Sequence, residues 1–189
     1  AGFAQKLEAW GYSALWIPEA VGRDPFSIIS YMAASTQTLI FATGIANIYA
    51  RDPMSMNAIH KTVSELAPDR FVLGLGVSHA PLVADIRGHE YKKPVTTMRN
   101  YLASMGKAFY RGAMAAEQAP IMLGALRENM LMLSAENASG AHPYFVTPDH
   151  TAWAREILGA NAWLCPEQMV LLEADPDKAR AIARSHIAT

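Results

Sequence analysis

The sequence points to an α/β fold built from repeated strand–loop–helix units around a parallel sheet. Six short apolar runs recur along the chain, at 14–17, 39–46, 71–77, 120–123, 141–146 and 169–173. Four helix starts share one chemistry, an N-cap residue followed by proline: Asp24-Pro25, Asp52-Pro53, Thr147-Pro148 and Asp175-Pro176. Asp or Thr accepts from backbone N–H groups just inside a helix, and proline suits the first helical position because its missing N–H would have no partner there. Runs and helix starts alternate, which is the pattern of βα units. A doubly wound sheet and a (β/α)8 TIM barrel both use it. As a barrel it would be incomplete, about six βα units with the first and last strands missing. Those two strands are neighbours in a closed barrel, so one contiguous gap would open.

Taken in order, Phe3, Leu7 and Trp10 fall at helical spacing and Gly11 suits the position just past a helix end. Strand 14–17 follows, then a helix from Pro25 with Phe26, Ile29 and Ala33 on one face. Strand 39–46 leads to a helix from Pro53 that turns Met56, Ile59, Val63 and Leu66 inward. After the turn Pro68-Asp69-Arg70 come strand 71–77, a long connection over 78–94 and a helix over 95–110. Strand 120–123, helix 127–139, strand 141–146, helix 148–158, strand 169–173 and a final helix from Pro176 complete the chain. Residues 160–168 show no clear pattern. A βα chain that starts and stops on a helix reads as one barrel domain over 1–189, truncated at both ends.

At 189 residues and 51% hydrophobic content the chain can bury one sizeable core. A net charge of −1 gives no electrostatic argument for nucleic acid or an anionic membrane. No apolar stretch approaches the ~20 residues of a membrane span. The single Cys165 rules out an internal disulfide and suits a cytoplasmic protein.

Barrels and doubly wound sheets collect their chemistry in the loops after the strands. Gly74-Leu75-Gly76-Val77-Ser78-His79 begins like a dinucleotide fingerprint, but its sixth residue is His and its glycines lie inside the apolar run. Gly76-Val77-Ser78-His79-Ala80 approaches a nucleophile elbow, and Asp149 with His186 would supply a serine hydrolase's acid and base in chain order. A triad histidine belongs in a loop, whereas His186 falls in the terminal helix. The six histidines show no metal-ligand spacing, so no metal site is expected. Glu19 stands just past the first strand, Gly44 inside the second, Gly76 and His79 at the end of the third and Gly124 after the fourth. A glycine inside a strand often marks a close approach. Four such strand ends in a row suggest a floor for a flat cofactor.

WIPE after the strand at 14–17, ATGIANIYARDP across the strand at 39–46 and DRFVLGLGVSH across that at 71–77 resemble the luciferase-like monooxygenase superfamily. The similarity is closest to its deazaflavin (coenzyme F-420) dependent oxidoreductase branch, and HPYFVTPDHTAWAREILG shares it. The resemblance implies an incomplete (β/α)8 barrel that binds coenzyme F-420, or FMN, at the C-terminal ends of its strands. It implies hydride transfer between the deazaflavin and a small organic substrate, and a homodimer of the full-length protein. A non-catalytic flavin-binding barrel is the rival. By the same resemblance Gly44-Ile45 is a non-prolyl cis peptide bulging toward the cofactor, and Asn47 is a polar residue beside its ring. Gly76, Val77 and Ser78 lie against the cofactor, and Gly124, Ala125 and Leu126 run along its tail. His79 and Glu19 are the candidate acid/base residues.

Overall fold

A computed structural model describes residues 1–187. Helix α1 (Gly2–Ala9) precedes β1 (Ala14–Ile17), α2 (Pro25–Ala33), β2 (Ile40–Thr43) and β3 (Ala46–Asn47). These are followed by α3 (Pro53–Leu66), β4 (Phe71–Gly76), a π-helical segment (Pro81–Ile86), α4 (Pro94–Lys107) and β5 (Ile121–Leu123). The chain continues through α5 (Glu128–Asn137), β6 (Gly140–Ala141), α6 (Pro148–Leu158), β7 (Trp163–Leu164) and α7 (Pro176–Ile187). The helix starts form as their chemistry requires. Asp24 accepts from Ser27 N at 2.7 Å, Asp52 from Met54 N and Ser55 N at 2.9 and 3.0 Å, and Asp175 from Asp177 N at 2.9 Å.

All strand pairs are parallel and the order is β1-β2-β4-β5-β6-β7, with β3 also on β4. A doubly wound sheet reverses its strand order at a switch point. This sheet never reverses, so it is a segment of barrel wall. Its curvature shows in one contact: the Trp16 and His142 rings stack with centroids 4.2 Å apart. Trp16 lies on β1 and His142 just past β6, with three strands between them in the sheet, so only a curled sheet brings them together.

Side chains alternate across the wall as strand geometry demands. Phe41, Leu73, Leu75 and Leu123 face outward into a core with Ile29, Met56, Met98 and Leu131 of the helices. Ala42, Val72 and Met122 face inward with Trp16, Ile40 and Cys165. Trp16 and Cys165 carry this inner cluster up to a cleft near the strand C-termini, which form the mouth.

Three strand assignments are corrected. The run 39–46 is two strands, because the cis peptide Gly44-Ile45 interrupts it. Phe41 pairs with Phe71 but Ala46 with Leu75, so the bend uses one residue more than β4 does opposite, the count of a β-bulge. The run 141–146 contributes only its first residue to β6, after which Phe145 turns with φ 53°. The run 169–173 forms no strand. Val170 and Leu172 are fully exposed there, and the edge of the sheet is β7, in the stretch that showed no pattern.

Candidate functional site

The mouth is organised by the bend between β2 and β3. Thr43 Oγ1 accepts from Gly74 N at 2.9 Å and donates to Gly74 O at 2.7 Å, tying the last residue of β2 to β4. A Cβ on Gly74 would meet Thr43 O at 1.8 Å, so only glycine permits that approach. Beyond the bend, the Ile45 side chain lies over Gly76 and Gly124. A Cβ on Gly76 would stand 2.4 Å from Ile45 Cδ1, and one on Gly124 would stand 3.3 Å from Ile45 Cγ2. The strand-end glycines therefore make room for Ile45, which forms an apolar platform at the mouth.

Glu19 locks this bend from the side. Its backbone N–H donates to Ile45 O at 3.3 Å, its Oε2 accepts from Asn47 N at 2.8 Å and its Oε1 accepts from Arg51 Nη1 at 2.7 Å. The carboxylate is 8% exposed, and Arg51 also pairs with Asp24. Tyr101 donates to Arg51 O at 2.9 Å. Both Glu19 oxygens are thus engaged in holding backbone and guanidinium in place.

Asn47 is fully buried; its Oδ1 accepts from Tyr49 N at 2.9 Å, while its Nδ2 has no hydrogen-bond partner. Val77 and Ser78 continue from β4 half-buried, Ser78 turning with φ 55°. His79 is exposed at the rim, and its carbonyl accepts from Val83 N at 3.1 Å where the π-helical segment begins. Gly124 N donates to Leu75 O at 2.8 Å, Ala125 is buried, and the exposed Leu126 accepts from His150 Nε2 through its carbonyl at 2.8 Å. The proposed site residues therefore fall on adjoining loops at one end of the sheet. Asp149 begins α6 and His186 lies in α7, so the third member of the hydrolase triad is helical. No group of three metal-ligating side chains is present among the described residues.

Sequence reasoning missed His142. Its Nδ1 donates to Cys165 O at 2.6 Å, and its buried Nε2 has no hydrogen-bond partner, with Glu167 Oε2 at 3.9 Å. Burial pushes its pKa below the ordinary value, against the opposing pull of the Cys165 carbonyl and of Glu167. His142 lines a cleft of about 500 Å³ with Trp16, Pro18, Gly44, Tyr144 and Glu167. The apolar run 141–146 reads it as inside a strand, whereas it stands immediately after β6, as Glu19 and His79 stand near the ends of β1 and β4.

The family model for luciferase-like monooxygenases matches residues 1–188. The chain belongs to the luciferase-like monooxygenase family. Among relatives of this family member, a Mycobacterium tuberculosis protein carrying the name coenzyme F-420-dependent oxidoreductase is 26% identical over 168 residues, covering 73% of this chain and 48% of its own. The 5,10-methylenetetrahydromethanopterin reductase of Methanolobus tindarius is 26% identical over 158 residues, covering 74% and 48%. The luciferase-like chain thus spans about half the length of the curated relatives it matches. Among solved structures, an F-420-dependent secondary alcohol dehydrogenase in complex with an F-420–acetone adduct superposes with TM-score 0.78 at 12% identity, over 96% of this chain and 67% of that one. The F-420-dependent tetrahydromethanopterin reductase of Methanopyrus kandleri gives 0.74 at 18% identity, over 94% and 64%. These likenesses establish the barrel fold. Among the described residues no helix is long and apolar enough to cross a membrane.

Proposed function

We propose that this chain is the cofactor-binding part of an oxidoreductase that uses coenzyme F-420 to move a hydride to or from a small organic substrate. The observation that carries the reading is the Ile45 platform beside the orphaned Asn47 amide. A flat heteroaromatic ring with carbonyl acceptors fits both, resting on the apolar side chain and accepting from Nδ2. A buried amide donor left without a partner is costly, which argues for an acceptor in its place. Bound there, the deazaflavin supplies the carbon that gives or takes the hydride.

The chain's own residues do the rest. Gly76, Val77 and Ser78 wall the ring, and Gly124, Ala125 and Leu126 offer backbone to the tail. Glu19 and Arg51 fix the bend, so the platform does not reorganise when the ring settles. His79, at the solvent edge, exchanges a proton with the substrate. Glu19 was the second acid/base candidate, and its two engaged oxygens favour the clamp role instead.

Full-length protein incubated with F-420 and a panel of alcohols tests this directly. Loss of deazaflavin absorbance with one of the alcohols is the expected result. Saturable F-420 binding without turnover across the panel and across enones offered with reduced F-420 would favour the non-catalytic barrel. Turnover only with reduced FMN and dioxygen would make it a flavin monooxygenase.

A further inference from the structure

In the cleft beside Trp16, a neutral His142 ring and the Glu167 carboxylate present two hydrogen-bond acceptors to each other. His142 is 6% exposed, and its Nδ1 hydrogen is committed to the Cys165 carbonyl at 2.6 Å. A neutral imidazole then carries only a lone pair at Nε2. Across from it stands Glu167 Oε2 at 3.9 Å, a carboxylate that also only accepts. The Nε2 atom is buried and unpartnered.

The surroundings explain how a donor reaches that atom. Glu167 is fixed through its backbone, donating to Pro143 O at 2.8 Å and accepting from Phe145 N at 3.2 Å. Its side chain is 43% exposed, so it can turn outward without disturbing the fold. Trp16, Pro18 and Tyr144 supply apolar and aromatic wall to the cleft. Gly44 closes the other side, and a Cβ there would come 3.1 Å from Nε2. The cleft therefore adjoins the bend that carries the platform.

We infer that this cleft takes a small hydroxyl compound whose O–H donates to His142 Nε2, with Glu167 as the movable wall that admits it. The inference rests on the proposed function for one point only, that this hydroxyl compound is the substrate. Trp16 holds the imidazole plane and Cys165 fixes its tautomer, so His142 is a positioning residue with its acceptor set in advance. Ligands of the same shape without a hydrogen to donate are rejected, because they leave the lone pair unsatisfied.

The test uses full-length protein labelled with nitrogen-15 at histidine, with cyclohexanol as the probe and methoxycyclohexane as the shape control. The expected spectrum of the free protein has His142 protonated at Nδ1 and bare at Nε2. Cyclohexanol should move the Nε2 resonance saturably and methoxycyclohexane should not. Glu167→Gln, at a half-exposed position, should weaken cyclohexanol about fivefold, because the new amide can itself donate to Nε2. His142→Phe should bind both compounds alike. A proton on Nε2 in the free protein, equal responses to the two probes, no response to either, or unchanged affinity in Glu167→Gln would each overturn the inference. F-420 titrated into the same samples separates the two readings. Discrimination of the probes without F-420 binding would remove the proposed function and leave the cleft standing.

Discussion

Replacing Glu19 separates a structural clamp from an acid/base catalyst. Its carboxylate is 8% exposed and makes two close contacts, to Arg51 and to the Asn47 N–H. Removing one partner of a buried, hydrogen-bonded ion pair costs about 3–5 kcal/mol. Arg51 retains Asp24, whose side chain is 40% exposed, so Glu19→Ala should fall at the lower end, about 3 kcal/mol. For a domain of this size that lowers the thermal midpoint by about 6–12 °C. Glu19→Gln is the sharper probe, since it keeps the shape and turns one acceptor into a donor facing the guanidinium. It should cost about 2 kcal/mol. Pairing it with Arg51→Met should recover part of that loss, a coupling of about 1–2 kcal/mol measurable by denaturant unfolding. A Glu19→Gln variant within about 0.5 kcal/mol of the parent, yet more than a hundredfold slower in kcat, would refute the clamp and make Glu19 the acid or base.

Other expectations follow from the same geometry. Gly76→Ala places a Cβ 2.4 Å from Ile45 Cδ1, so it should cost about 1–3 kcal/mol and weaken cofactor binding by tilting the platform. Equilibrium unfolding and F-420 titration of the variant would check this. His79→Ala should lower kcat about 10²-fold with little change in stability, because the residue sits exposed at the rim. Activity within a few-fold of the parent would leave His79 as wall. The pH dependence follows from His60 and His142, both held below the ordinary value of 6.5 chiefly by burial. The unfolded chain therefore takes up protons first as pH falls, and stability should be full above about pH 6.5 and decline progressively below it. Denaturant midpoints across pH 5 to pH 8 would show the slope, and a flat profile would contradict the buried neutral state of both rings.

The helix starts were legible because their chemistry is local: a capping oxygen and a proline act within a single turn, and the caps at Asp24, Asp52, Thr147 and Asp175 formed as read. Strands β1 and β4 were legible because their apolar runs are continuous. β7 was not, since it is two residues long and exists only through its pairing with β6. The run 169–173 looked more like a strand but has no neighbour to pair with, and apolarity alone does not supply one. The glycines at 76 and 124 were rightly read as close approaches, but the group approaching is the chain's own Ile45. Glu8 was read only as part of a helix. Its Oε1 accepts from Gln37 N, Thr38 N and Leu39 N, 29 to 31 residues away, and those bonds hold its pKa at about 2. Contacts of that range leave no periodic trace. His142 was overlooked for the same reason, since its meaning comes from Trp16 on the far side of the barrel.

Equilibrium titration of the full-length protein with F-420 and with FMN, read by the fluorescence of each ligand, tests the platform-and-amide site most directly. Saturable F-420 binding at micromolar concentration is expected, with Asn47→Ala weakening F-420 about tenfold by removing the Nδ2 donor. Binding of FMN but not F-420, or F-420 affinity indifferent to Asn47, would contradict it.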